Sequence, residues 1–236
     1  MITFPFGFLG GVADEDDGLL FHIDAGDTAS YISPSTSCTS IGSINITGTL
    51  QGSSGGQVSP IYNSAGGGSW LFDGTDDNID FPYNAGLELQ EFSVEMWVNW
   101  NGTTGTGGLF EVMEGSTKGH FIGFYGAGSS TLKWYTQSAG WQALSSATLT
   151  ADTWYHVVAT LTAYGTSNNK KMYINGVYDS QETTSANVVY NNSNVRIGFY
   201  DASWEGKIST VKVYNKVLTS TEILANFNAT KTRYGL

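Results

Sequence analysis

The last third of the chain restricts the fold more than any other feature. It runs Trp154–Thr160, Lys171–Val177, Val195–Gly198, Gly206–Ile208 and Val211–Asn215, and closes on the segment Leu218–Ile223. These are short β-branched and aromatic runs separated by turn residues, the pattern of strands rather than helices. Asn175-Gly176 is the favoured pair for a type I′ hairpin, in which both central residues take positive φ. Thr219 and Glu222 have capping-box spacing, with Thr219 as N-cap and Glu222 at N3. Ile223, Leu224 and Phe227 then describe one short amphipathic helix. Hairpin-linked strands closed by a single helix predict an antiparallel all-β architecture.

The rest of the chain agrees. In Phe92–Trp100, Phe92, Val94, Met96, Val98 and Trp100 face one way, and Ser93, Glu95, Trp97 and Asn99 the other. Period two with one apolar face predicts a half-buried antiparallel strand. Further strands are expected at Gly18–Asp24, Ser69–Phe72, Ile79–Phe81, Leu109–Val112, His120–Tyr125 and Leu132–Thr136. Residues 25–69, rich in Ser, Gly and Thr, read as loops with one or two edge strands. About a dozen strands at hairpin spacing give a two-sheet antiparallel β-sandwich or jelly roll with a short C-terminal helix. At 236 residues such a sandwich is one domain, long enough to bury a full core without staples.

Residues 1–13 form a separate apolar arm ahead of the sandwich at 14–236. Phe4, Phe6, Phe8 and Leu9 alternate with Gly and Pro without the clean pattern of a strand, and that much apolar surface seeks cover. The arm is therefore expected to pack on its own domain or to dock into a partner subunit. It carries no Lys or Arg and makes a poor signal peptide. No apolar run is long enough to span a membrane.

Charge bears on partners. Charged residues are 13% of the chain and the net charge is −11. Residues 1–118 hold 15 acids and one base, residues 119–236 hold 6 acids and 9 bases. Nucleic-acid phosphates would be repelled. Cys38 is the lone cysteine, so there is no intrachain disulfide.

Leu20-Phe-His-Ile-Asp24, Leu71-Phe-Asp-Gly74, Phe92-Ser-Val-Glu-Met-Trp97, Trp154-Tyr-His-Val-Val158, Tyr173-Ile-Asn-Gly-Val177, Gly206-Lys-Ile208 and Tyr214-Asn-Lys-Val-Leu218 occur in an order that resembles the laminin G-like, concanavalin A-like lectin/glucanase superfamily. The likeness covers residues 18–228. The ending Asn226–Leu236 and the opening Asp17–Gly26 are also similar to single-domain structural proteins of tailed, often marine, bacteriophages. Together the resemblances imply a concanavalin A-like sandwich in a non-enzymatic virion protein, on the capsid or tail surface, made in the host bacterial cytoplasm. Its implied partners are other virion proteins, copies of itself and host-surface polysaccharide. Two other classes remain open, a secreted carbohydrate-binding module and a divergent glycoside hydrolase.

Site chemistry narrows the candidates. Glycosidases need two carboxylates about 5–5.5 Å apart for retention and wider for inversion. Laminarinase-type relatives place them as Glu-x-Asp-x-Glu on one strand face, and no such triplet occurs. The strand Ser93–Asn99 offers only Glu95, and Glu111 and Glu114, three apart, point to opposite faces. His22, His120 and His156 lie on separate strands without a zinc signature. His156 reads as a strand residue satisfied by hydrogen bonds. Relatives hold calcium with an Asp near the last strand, where this chain has Ser209-Thr210. Asp73, Asp76 and Asp77 offer a substitute set in a turn, but turn chemistry explains them and calcium is disfavoured. No other cofactor is indicated. Sugar binding needs aromatic faces beside polar groups. Trp134 and Tyr135 qualify by type, and Trp141, Tyr200, Asp201 and Trp204 are the preferred set, although relatives pack an aromatic at the Trp204 position.

Overall fold

A computed structural model describes residues 18–52, 60–103, 105–114, 118–126, 129–138, 140–200 and 202–236, with backbone alone at 114, 138, 140–143, 147, 200, 202 and 203. The arm residues Phe4, Phe6, Phe8 and Leu9, and Asp201, lie outside the described residues.

Among them the strands are β1 (Leu19–Asp24), β2 (Ser37–Thr39), β3 (Thr47–Gln51), β4 (Ile61–Asn63), β5 (Ser69–Asp73), β6 (Asn78–Phe81), β7 (Phe92–Trp100), β8 (Gly107–Glu114) and β9 (Lys118–Phe124). Then follow β10 (Thr131–Ser138), β11 (Gly140–Thr148), β12 (Trp154–Leu161), β13 (Lys170–Ile174), β14 (Val177–Glu182), β15 (Asn194–Ile197), β16 (Phe199–Tyr200), β17 (Ala202–Ser203) and β18 (Glu205–Tyr214). One helix, α1 (Ser220–Thr230), and a 3-10 turn at Lys231–Tyr234 end the chain.

The first sheet has the order β14-β13-β12-β7-β18-β5-β4, with β1 also on β18. The second runs β11-β10-β9-β8-β15-β6-β3-β2. The chain moves repeatedly from one sheet to the other, as in a jelly roll. Between them lies one continuous core that includes Trp70, Phe72, Trp134, Trp204 and Ile208. The expected two-sheet antiparallel sandwich with a C-terminal helix is the fold observed.

That crossing dissolves the charge asymmetry of the sequence. β7 comes from the acidic half but lies between β12 and β18 of the basic half. Glu95 meets His156, Glu111 meets Arg196 and Asp24 meets Arg233, each joining one half to the other.

Local chemistry explains the joints. Asn175 (φ 52) and Gly176 (φ 77) both take the positive φ that the hairpin requires. Thr219 accepts from the Glu222 backbone N–H. The Glu222 carboxylate in turn accepts from the Thr219 backbone N–H at 2.7 Å, which closes the capping box. Gly198 (φ 81) sits where only glycine is comfortable. A Cβ there would fall 2.1 Å from the Phe72 ring. No side chain fits without displacing the core.

β7 corrects the half-buried expectation, for all nine of its residues are buried. Its apolar face enters the core, and its other face is roofed by the C-terminal segment. Trp97 donates to Thr230 Oγ1 at 3.0 Å and stacks on Tyr234 with centroids 4.0 Å apart. A roof of this kind lets polar strand residues be buried, because the roof supplies their partners.

Candidate functional site

Antiparallel register, not sequence proximity, assembles the site. Thr49, Asp80, Arg196, Glu111, Phe121 and Tyr135 are successive partners across β3, β6, β15, β8, β9 and β10. Directly paired residues share a face, so these six form one row on the outside of the second sheet. The inward neighbours Ile79, Phe81, Val195 and Ile197 are buried, while Asp80 and Arg196 are partly open. At about 4.8 Å per strand the row spans roughly 24 Å.

One half of the row is polar. Arg196 Nε lies 2.7 Å from Glu111 Oε1, and its guanidinium sits 5.3 Å from the Phe199 ring centroid. Asn194 Nδ2 is 3.4 Å from both oxygens of Asp80. Gln51, Asn78, Asp80, Asn194, Arg196 and Phe199 line a cleft here of about 380 Å³. Burial, with Asp80 adding, pushes the Glu111 carboxyl up to about 8 against the pull of Arg196. Asp80 and Glu111 are two strands apart, with Arg196 on the strand between them.

The other half is aromatic. Phe121 and Tyr135 stack with centroids 4.9 Å apart and planes 9° apart, and Tyr125 meets Tyr135 at 5.3 Å. Lys133 Nζ donates to the Tyr125 carbonyl at 3.1 Å. Amides, a carboxylate and a guanidinium beside ring faces can bind a hydroxylated, partly apolar chain, matching hydroxyls on one side and C–H surfaces on the other.

Of the preferred set Trp141, Tyr200, Asp201 and Trp204, the Trp204 side chain alone lies among the described side chains. Trp204 is buried against Phe124 and offers no face to solvent. Trp134 is likewise core. Trp141 is the register partner of Gln137, which is as far as its backbone places it, and Tyr200 pairs with Ala202. Tyr135 is the one candidate ring on the row. Nothing local in the sequence marks Asp80 or Arg196 as site residues. Only the alternation in Asn194–Ile197 hints that Arg196 faces outward.

Glu95, the carboxylate singled out on its strand, is no part of this face. It is buried beneath α1, with Oε1 3.1 Å from His156 Nε2 and Oε2 accepting from Asn226 Nδ2 at 2.8 Å. Burial alone would raise its carboxyl. His156, Lys212 and Asn226 outweigh that and hold it at about 2. His156 is fully buried beside it, and its Nδ1 has no hydrogen-bond partner among the described residues, so the expected hydrogen-bonded strand histidine is met only on the Glu95 side.

Ser209 accepts from Arg233 Nη2 at 3.0 Å and donates to the Gly68 carbonyl at 2.6 Å. Carboxylate oxygens of Asp73, Asp76 and Asp77 lie within 4.8 Å of one another. Backbone N–H groups occupy part of that set: Asp73 Oδ1 accepts from Thr75 at 2.8 Å and Asp77 Oδ2 from Asp73 at 2.9 Å. No helix among the described residues is long and apolar enough to cross a membrane.

A family model described as the concanavalin A-like lectin/glucanases superfamily matches residues 73–224, more than half of the chain. Domain 4 of AbnA, a GH43 extracellular arabinanase from Geobacillus stearothermophilus, in complex with arabinotriose, superposes with a TM-score of 0.64 at 20% identity, covering 89% of this chain and 98% of that one. A botulinum neurotoxin type C structure, whose cell entry depends on interaction with two ganglioside molecules, gives 0.69 at 13% identity, over 93% of this chain and 53% of that one. Trypanosoma rangeli sialidase in complex with sialic acid gives 0.63 at 15% identity, over 92% of this chain and 33% of that one. The chain thus spans about half of the toxin chain and a third of the sialidase. At these identities the likeness is one of fold. No curated protein matches the sequence.

Proposed function

The chain belongs to the concanavalin A-like lectin/glucanases superfamily, and from that membership we propose that it is a non-enzymatic, lectin-like domain that binds polysaccharide along the outer row of its second sheet. The observation that carries this is the row itself. Asp80 and Arg196 are the partly open polar groups of the row and Tyr135 its partly open ring, with Glu111 and Phe121 buried between them. A net charge of −11 favours neutral glycans over acidic ones. The similar arabinanase domain was captured with arabinotriose, which supports the same class of ligand.

Binding is favoured over hydrolysis by the placement of Arg196. A hydrolase needs a sugar bond, or a bond and a water, between its two carboxylates. Here Arg196 sits on the strand between those of Asp80 and Glu111, and its guanidinium contacts Glu111 directly. The test is a panel of neutral polysaccharides, arabinan among them, scored for retention and for release of reducing sugar. Retention without release is expected. Release that disappears in Glu111→Gln would make the protein a hydrolase.

The finer reading places this domain on a virion of a tailed bacteriophage, presenting the row to host-surface glycans. Its support is the likeness of residues 17–26 and 226–236 to phage structural proteins. The apolar arm at Phe4, Phe6, Phe8 and Leu9 would dock it to another copy or a neighbouring virion protein. Mass spectrometry of purified particles should find the chain at fixed copy number. Deleting residues 1–13 should leave the sandwich folded and abolish incorporation. Secretion of the chain as a free carbohydrate-binding module would replace the virion assignment.

A further inference from the structure

The cleft on the second sheet holds two opposite charges that are not spent on each other. Asp80 and Arg196 are direct partners across β6 and β15, and the Cβ atoms of such partners lie about 5 Å apart. Yet no ion pair joins them among the described residues. Arg196 Nε instead meets the buried Glu111 at 2.7 Å, and the Phe199 ring lies 5.3 Å from the guanidinium. These two contacts fix Arg196 and leave Nη1 and Nη2 without a hydrogen-bond partner among the described residues, on a side chain 29% exposed. The Asp80 oxygens are met only by Asn194 Nδ2, at 3.4 Å, longer than the roughly 2.7–3.2 Å of a good N–H···O bond. Asp80, Asn194, Arg196 and Phe199 are all partly open.

Resting on the polysaccharide reading above, we propose that this cleft recognises the vicinal diol of a neutral sugar unit, whose two hydroxyls donate to the Asp80 carboxylate and accept from the Arg196 guanidinium. A hydroxyl both donates and accepts, a carboxylate only accepts and a guanidinium only donates. The two carboxylate oxygens and the two terminal guanidinium nitrogens each form a fork. A pair of adjacent hydroxyls matches such forks, whereas a single hydroxyl fills half of each. The charged side chains that line the cleft among the described residues are one of each sign, so their fields cancel and an uncharged ligand is favoured. At about 380 Å³ the cleft lies near the lower end of the roughly 300–1,000 Å³ of ligand pockets, room for a short run of sugar and not a long one.

The experiment is affinity measurement of the full chain on arabinan, amylose and mannan, whose internal units keep a free vicinal diol, on the same polymers after O-methylation, and on linear 1,3-linked glucan, whose internal units have no vicinal diol. At least one diol-bearing polymer should be retained, and O-methylation should weaken it about tenfold or more. The 1,3-linked glucan should not be retained. Asp80→Asn should lose about tenfold on the native polymer and nothing on the methylated one. Arg196→Lys, which keeps the charge and loses the fork, should do the same. Tyr135→Ala should weaken native and methylated polymers alike. Equal retention of native and methylated polymer, equal retention on 1,3-linked glucan, or elution by glycine, whose ammonium and carboxylate match the same two groups, would overturn the diol assignment and leave the lectin reading standing. Retention on none of the polymers would overturn both.

Discussion

Arg233 grips Asp24 across 209 residues of sequence, with Nη1–Oδ2 at 2.7 Å and Nη2–Oδ1 at 2.6 Å. Nη2 also reaches the Gly67 carbonyl at 2.8 Å and Ser209 Oγ at 3.0 Å. The contact ties the chain's last turn to its first strand. It thereby clamps the roof over β7.

Stability should register that clamp. Arg233→Ala and Asp24→Asn are each expected to cost about 2 kcal/mol, because removing one partner strands the other half-buried charge. For a chain of this size that lowers the melting temperature by about 4–8 °C. Arg233→Lys should not rescue, since a lysine cannot form the two-pronged contact. Calorimetry of both single variants and the double variant decides it. Fully additive losses would mean that the residues are not coupled.

Calcium should leave the wild-type melting temperature unchanged. Turn N–H groups already engage Asp73 and Asp77, and the Arg233 guanidinium already occupies the oxygens of Asp24, Gly67 and Ser209. A rise of several degrees with millimolar calcium, reversed by chelator, would contradict this.

Acid should unfold the protein in two overlapping windows. Burial, with Lys170 adding, depresses the His120 imidazole from 6.5 to about 3. Between those values the unfolded chain binds the extra proton, so stability falls as pH drops through the window. Glu95, lowered from 4.5 to about 2, contributes stability that is intact above pH 4.5 and lost toward pH 2. Glu111 acts in the opposite sense. Raised from 4.5 to about 8, it binds protons in the folded state, so its contribution shrinks as pH rises through that range. Urea titrations from acid to mildly alkaline pH should show His120→Phe with a shallower acid loss and Glu111→Gln without the alkaline decline. Slopes identical to wild type would refute the assignments.

Ligand binding should depend on the row and not on the buried tryptophans. Tyr135→Ala and Asp80→Asn are expected to weaken retention on neutral polysaccharide by about tenfold or more. Their melting temperatures should move by no more than about 2 °C, as both sites are partly exposed. Retention unchanged in both variants would remove the row from the binding surface.

The sequence alone determined the local parts. Period-two alternation placed β7, Asn175-Gly176 placed the hairpin and Thr219–Glu222 placed the start of α1, because each depends on residues within a few positions of one another. Even there, the alternation of β7 predicts half-burial, and the roof made of Trp97, Thr230 and Tyr234 buries it on both faces. The tertiary structure decided the rest. The Asp80–Arg196–Glu111 row depends on strand order and register, which bring positions up to 116 residues apart side by side, since 196 minus 80 is 116. The fate of Glu95 depended on where α1 docked, and that of Trp204 on where the core closed. Hydrogen-bond registry between distant strands, and the burial it imposes, are properties of the assembled sandwich that no local pattern encodes.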